Sequence, residues 1–518
     1  MMKKAIKKLM AAALAIAMLC AMAVPAFAAT VTDNGPSGHT YTAYQIFTGT
    51  QQENKTELGN VQWGSGINAE AFYTALKSSG IASFATLPDY AETTSAAAAA
   101  KAMEEITSDS ADANAVAKLA YANIKGSGTV ISGSTNLDNG YYLFVDTTEN
   151  LPNGEAYNAA LLQVTGSIVI RDKSAKPTVT KTVHDNDDGS QRGTSDTNDG
   201  FGKSADHAIN ESFQFKLEAT LPASENFSAY KGYKVVFHDT MSAGITFEQI
   251  DSVVITSNGT TYTLTPSDYT VSGVGSGDAG KAWTLTIDDI KTAAVDIDLT
   301  NGAVITVLYS AHLNENAVVN NESGDTTNQN KVLLEYSNNP NADGTGKTNE
   351  EEVYVFSYQV NNTKYKNEAA EGNELEGAEF RLYSDKSCTK EVKLYKDGDF
   401  YYPIKDATGK TETVMVSGTD GKFNIKGLDA GIYYLRETKT PDGFNTCADI
   451  EIVIGASHVN NHVTLDTTST MNNNVINNSG ATLPSTGGIG TTIFYVVGGG
   501  LMVAAIVLLV TKKRMENK

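Results

Sequence analysis

Two long apolar runs frame this chain, and a two-residue alternation of apolar and polar positions fills the space between them. Such alternation, kept up over four to eight residues, marks a strand buried on one face. It predicts strands over 39–47, 141–145 and 159–170. The same stretch breaks pattern twice. Asn68 stands ahead of a helical segment ending at Lys77, and the Ala-rich segment 91–124 favours helix, with an interruption near Asp109. Further on, strands are predicted over 178–183, 212–219, 233–238, 252–257, 282–287 and 331–336, then over 353–360, 378–383, 421–426, 431–437 and 449–454. Turn residues separate them. The pattern predicts a mainly β chain of three tandem immunoglobulin-like β-sandwich domains, the first with helical insertions. The units span 29–172, 173–350 and 351–478.

The two framing runs read differently. Residues 1–28 combine Lys3, Lys4, Lys7 and Lys8, an apolar run from Met10 to Val24, and the small-x-small site Ala26-Phe27-Ala28. That is the plan of a secretory signal peptide, removed on export. At the other end the uncharged stretch 491–510 is long enough to cross a bilayer as a helix. Lys512, Lys513, Arg514 and Lys518 follow in the tail 511–518. Cationic residues stay on the cytoplasmic side, so this segment holds the tail inside and the bulk of the chain outside.

Composition narrows the function classes. The 518 residues carry a formal net charge of −21. Removing both ends takes away eight cations and one anion, so the exported part is more acidic still. No basic patch offsets this, and nucleic acid is excluded as a partner. Asp185-Asn186-Asp187-Asp188-Gly189 resembles half of a calcium loop, but its glycine sits one place early and no Glu closes it. It reads as a solvated loop. His458 and His462 are four apart in a strand or loop context, not on a metal-binding helix. With no phosphate loop, no Ser/His/Asp set and no metal cluster, the chain reads as a non-enzyme without cofactor or metal. Cys388 and Cys447, both in the last unit of an exported chain, predict a disulfide.

Leu483-Pro484-Ser485-Thr486-Gly487 stands directly before the apolar span and basic tail. This ordered triple, over 479–518, resembles the LPxTG cell-wall sorting signal. The resemblance implies that a sortase cysteine attacks the Thr486 carbonyl, releases Gly487 onward, and passes Thr486 to an amine. Peptidoglycan as the acceptor would give a wall-anchored protein; a lysine on another copy would give a polymer. The junction Ile168-Val169-Ile170-Arg171-Asp172-Lys173-Ser174-Ala175-Lys176-Pro177-Thr178-Val179 is similar to the acceptor region of Gram-positive shaft (backbone) pilins. Arg171 and Asp172 replace the usual Tyr and Pro. The resemblance implies Lys173 as acceptor, with Lys176 as the rival.

Domains of these pilins resemble the collagen-adhesin B-type module, in which a buried acid promotes a Lys–Asn isopeptide bond between the first and last strands. Burial disfavours the ammonium and leaves lysine a neutral nucleophile; it also keeps the acid protonated. In the middle unit the resemblance implies Lys181, Asp239 from Phe237-His238-Asp239-Thr240, and Asn338, or Asn339 one place on. In the last unit, 431–444 resembles the pilin E-box, with Glu437 as the acid and Asn477 as the amide. Simple alignment puts Asn362 where lysine is expected. Lys364, two residues on, shares its strand face. No such bond is expected in the first unit, which has no lysine between Thr30 and Asn54.

The implied protein is a secreted structural subunit anchored to peptidoglycan at the cell surface. Its implied partners are pilus-specific and housekeeping sortases, other copies of itself, minor pilins and a host surface ligand. The alternative is a wall-anchored monomeric adhesin that uses the same modules.

Overall fold

The computed structural model describes residues 29–51, 58–107, 110–164, 168–171, 176–186, 191–192, 199–223, 225–406, 409–480 and 489–516. The segment 1–28 expected to be a signal peptide, Lys173 and the pentapeptide 483–487 lie outside the described residues.

The first unit is layered. A three-stranded sheet, Ser134–Leu137, Ala29–Asn34 and Ile168–Arg171, covers one face of a five-stranded sheet built around Tyr41–Gln51 and Gly140–Asp146. Val31, Tyr41, Phe144 and Ile168 fill the space between them. The helices Ala69–Lys77, Ser95–Met103 and Ala111–Ala122 cover the other face, over Ile46, Phe72, Val116 and Leu143. Asn68 caps the first helix and Ser110 the third, each accepting a backbone N–H from the first turn. This is the arrangement expected for helices inserted into a sandwich. The segment 159–170 makes two strands, Leu161–Val164 and Ile168–Arg171, in different sheets.

The middle unit is a large sandwich. Its six-stranded sheet holds Thr178–His184, Ser212–Thr220, Val304–Leu313 and Ile245–Ser257. Its seven-stranded sheet holds Asn328–Ser337, Val235–Met241 and Ala282–Ile287. Val304–Leu313 and Asn328–Ser337 alternate buried and half-buried positions along their whole length, as a strand with one dry face must. Phe215, Leu217 and Tyr309 from one sheet meet Phe237, Trp283 and Leu334 from the other in one core.

The last unit packs two five-stranded sheets. One carries Tyr358–Lys366, running parallel to Asn472–Asn477. The other carries Glu379–Tyr383 and Gly431–Lys439. Beyond it, Ile489–Met515 is a single helix; its stretch 493–515 is long and apolar enough to cross a membrane.

The last two units share backbone. Glu351–Phe356, which the sequence reading assigns to the last unit, pairs in the middle unit's sheet with Asn328–Ser337 and Ser204–Asp206. Only the buried Ser357 separates it from Tyr358–Lys366. Tyr395 and Tyr402, carried by the last unit, belong to the middle unit's core. Gly427 lies at a bulge in this junction with φ +86, and its carbonyl accepts the Ile209 N–H at 2.9 Å. A Cβ there would stand 2.5 Å from the Ile209 side chain. Gly427→Ala should therefore lower stability by about 1–3 kcal/mol, combining overpacking with a left-handed backbone that alanine disfavours. Thermal denaturation would read this as a loss of Tm.

Candidate functional site

Two lysines sit in dry sandwich cores, and each lies against a carboxylate. Lys181 follows from the alternation of Thr178–His184, which turns Val179, Lys181 and Val183 inward. Its side chain and that of Asp239 are fully buried, and the ammonium contacts the carboxylate directly. The Tyr309 hydroxyl lies 3.1 Å from Lys181 Nζ and donates to Asp239 Oδ2 at 3.0 Å. The rings of Phe215 and Tyr309 flank the ammonium, with centroids 5.2 and 5.4 Å away. Burial pulls the Lys181 pKa down to about 8 although Asp239 opposes the shift, and burial likewise raises the Asp239 carboxyl. Both shifts favour the uncharged forms.

The amide in this cluster is Asn330. Its Nδ2 donates to the Tyr309 hydroxyl at 2.6 Å, so lysine and amide meet on the two sides of one hydroxyl. Asn330 pairs with Met241 and Val332 pairs with Asp239, which sets Asn330 and Asp239 diagonally on the same sheet face. Asn330 Oδ1 and Asp239 Oδ1 are buried with no hydrogen-bond partner. Each such orphan costs about 1–3 kcal/mol and so calls for a physical explanation. Asn338 lies elsewhere. It is eight residues further along the same strand direction, roughly 26 Å at 3.3 Å per residue. There its carbonyl accepts the Tyr157 N–H of the first unit at 2.8 Å. Its neighbour Asn339 caps the following turn by accepting the N–H groups of Asn341 and Ala342. Neither reaches Lys181.

The second cluster joins three residues singled out in the sequence. Lys364 contacts Asn477 Oδ1 directly. Asn477 Nδ2 donates to Glu437 Oε1 at 2.7 Å, and Lys364 Nζ lies 3.7 Å from that oxygen. Glu437 Oε2 accepts the Cys447 N–H at 2.9 Å. Lys364 and Glu437 side chains are fully buried, and burial lowers the Lys364 pKa. Asn362 shares the inward face but turns its amide to the Phe423 carbonyl. The parallel pairing of Tyr358–Lys366 with Asn472–Asn477 places lysine and amide on neighbouring strands at the two ends of the unit.

The expected disulfide is absent: Cys388 and Cys447 are both free thiols. Cys388 sits in a turn at φ +53 with its sulfur 3.8 Å from Asp449 Oδ2, whereas Cys447 packs beside the Lys364–Glu437 pair. Of the two acceptor candidates, Lys176 is half-buried and paired with Glu155 at 2.5 Å; Glu155 Oε2 is also 3.5 Å from the buried His39.

Sequence reasoning missed Asn330 and Tyr309. A signal existed: every odd position from 305 to 313 is apolar or aromatic, and that unassigned strand carries Tyr309.

Residues 209–340 match the family model of the Gram-positive pilin backbone subunit 2, Cna-B-like domain. Residues 360–469 match a SpaA prealbumin-like fold domain, and 476–517 match the LPXTG cell wall anchor motif. No protein with a curated description matches. Among solved structures, the T6 backbone pilin of serotype M6 Streptococcus pyogenes is 16% identical, with 88% of this chain and 98% of that chain covered at TM-score 0.49. The major pilin SpaD of Corynebacterium diphtheriae is 17% identical over 88% and 97%, at TM-score 0.45. The major pilin subunit BcpA of Bacillus cereus is 14% identical over 88% and 99%, at TM-score 0.43.

A chain trimmed of residues 1–28, and so of Cys20, should titrate two thiols when denatured without reductant. In the folded chain, alkylation of Cys447 should stay slow at pH 8, because burial pushes that thiol up to about 11 and only the thiolate reacts. A titre of zero, or a mass gain of two hydrogens on reduction, would restore the disulfide.

Proposed function

We propose that this structural pilin subunit, carried at the cell surface by its LPXTG cell wall anchor, is the repeating unit of a covalent shaft hardened by two internal Lys–Asn bonds. The observation that carries the reading is the pair of buried Lys–acid–Asn clusters, Lys181–Asp239–Asn330 and Lys364–Glu437–Asn477.

In each cluster the neutral lysine nitrogen attacks the asparagine Cγ. The buried acid takes the proton that the lysine nitrogen loses and delivers one to the leaving nitrogen. The Nζ–Cγ bond forms, the Cγ–Nδ2 bond breaks, and ammonia departs. Asp239 and Glu437 act once, on their own chain, so this is not enzymatic turnover. In the middle unit Tyr309 holds nucleophile and amide on one hydroxyl, and breaking that bridge lets Nζ approach Cγ. In the last unit Nζ already touches the amide oxygen. Each bond ties the unit's opening strand to a later one, so tension along the chain loads a covalent link rather than a ladder of hydrogen bonds.

Between subunits, a sortase cysteine takes Thr486 from Gly487 as a thioester, and a lysine nitrogen of the next copy displaces the cysteine. Lys173 is the proposed acceptor. The Glu155 ion pair leaves Lys176 partly covered, which favours a strut role for Lys176. A final transfer of Thr486 to peptidoglycan would fix the polymer to the wall. Minor pilins and a host ligand belong to this reading as partners of the finished fibre.

Intact mass tests the internal bonds. The exported chain should weigh two ammonia masses less than its sequence. Lys181→Ala and Asn330→Ala should each regain one, Lys364→Ala and Asn477→Ala the other, and Asn338→Ala neither. By the chain-entropy estimate for a cross-link closing about 150 residues, losing the middle bond should destabilise the unit by about 5 kcal/mol. A wild-type mass with no ammonia lost would overturn this chemistry.

Co-expression with a pilus sortase tests the shaft. Wild-type chain should give a ladder of multimers that resists sodium dodecyl sulfate. Lys173→Ala should abolish the ladder and Lys176→Ala should leave it. A single band from the wild type would favour the monomeric adhesin, and a ladder retained by Lys173→Ala would refute the acceptor.

A further inference from the structure

One buried cluster has no part in the Lys–Asn chemistry. Asp185 and Asp206 of the middle unit face His458 of the last unit, and all three side chains are fully buried. Asp185 directly follows Thr178–His184, Asp206 ends Ser204–Asp206, and His458 lies in Ala456–Val459. The sequence spacing hides the group, since His458 is more than 250 residues from its partners.

The geometry suits a metal better than a hydrogen bond. His458 Nε2 is 3.4 Å from Asp185 Oδ2 and 3.7 Å from Asp206 Oδ1, and the three ligand atoms lie within 4.8 Å of one another. A hydrogen bond would bring these atoms to roughly 2.7–3.2 Å, and His458 Nε2 makes none of normal geometry. A tetrahedron of 2.0–2.1 Å bonds has edges of roughly 3.3–3.4 Å. The surroundings orient the ligands as an outer shell does. His458 Nδ1 is 2.8 Å from Ser204 Oγ, which turns Nε2 toward the carboxylates, and the Tyr358 hydroxyl donates to Asp206 Oδ2 at 2.6 Å. Charge points the same way. Two carboxylates and an imidazolium bury a formal −1, whereas two carboxylates, a neutral imidazole and a divalent cation bury none.

We propose that Asp185, Asp206 and His458 bind one first-row divalent cation, Zn²⁺ foremost, which clips the middle unit to the last. The imidazole and the small ligand number select Zn²⁺ over Ca²⁺, which takes six to eight oxygens. The clip lies where a strand of each unit meets the other: Gln191–Arg192 pairs in parallel with Ala456–Val459, with Arg192 opposite His458. Tension passing between the units crosses this point. Without metal, the imidazole is an ion-pair pin: burial pulls its pKa down, but Asp185 and Asp206 outweigh burial and raise it to about 9.

The test uses the full chain in detergent, produced with added Zn²⁺, dialysed free of loose metal and analysed for elemental content. One equivalent of zinc is expected, and Co²⁺ loading should give d–d absorption bands of a nitrogen-containing site. His458→Gln and Asp206→Asn should each weaken binding at least tenfold and erase the Co²⁺ bands. Circular dichroism and the ammonia loss of the middle unit would show that the variants still fold. Stripping metal from wild type should lower Tm, and Zn²⁺ should restore it while Ca²⁺ should not. Less than a tenth of an equivalent in wild type, or zinc retained in both variants, would overturn the proposal and leave the ion-pair pin.

Discussion

The structure depends on two ammonium groups held out of water. Moving such an ion into a dry core costs several kcal/mol even after relaxation, and an adjacent carboxylate offsets this only when the geometry is good. Lys181 meets that condition against Asp239, whereas Lys364 is held by Asn477 Oδ1, with Glu437 Oε1 3.7 Å away. The same burial that makes each lysine expensive to fold pushes its nitrogen toward the neutral, nucleophilic form. A surface pair of the same residues would be screened and inert. The chemistry proposed here is thus a consequence of packing: Phe215, Tyr309 and Trp283 wall off one cluster, and Phe380 lies over the other lysine.

Packing also decides how the units relate. A flexible linker would leave each sandwich free to turn. Here one buried serine joins the middle sheet to the last, Gly427 lets Ile209 pass at close range, and Tyr395 and Tyr402 reach into the neighbouring core. At the other junction, Asn341 donates to the Asn158 carbonyl and accepts from the Ala160 N–H, while Asn338 receives Tyr157. Residues that sequence pattern offers for chemistry can be claimed by such contacts. Asn338 is one: its backbone closes a domain junction, and the amide beside Lys181 comes from the start of the same strand.

Much was legible because it repeats locally. The alternation in 212–219 and 282–287 appears as strands, and Asn68 starts a helix because a side-chain oxygen can serve the first-turn N–H groups. Lys364 was readable from a two-residue offset, since a strand returns to the same face every second residue. The pairing of Cys388 with Cys447 was not, because counting thiols says nothing about where they point, and here they point at Asp449 and at the Lys364 cluster.

A short window of sequence suffices for the sorting pentapeptide with its span and for the strand-rich character of the three units, because each rests on composition or on a period of a few residues. The tertiary structure decided which amide meets Lys181, where one domain's sheet ends and the next begins, and that His458 comes to lie against Asp185 and Asp206. Those are long-range facts. They follow from sheet order, register and twist, which no short window of sequence contains.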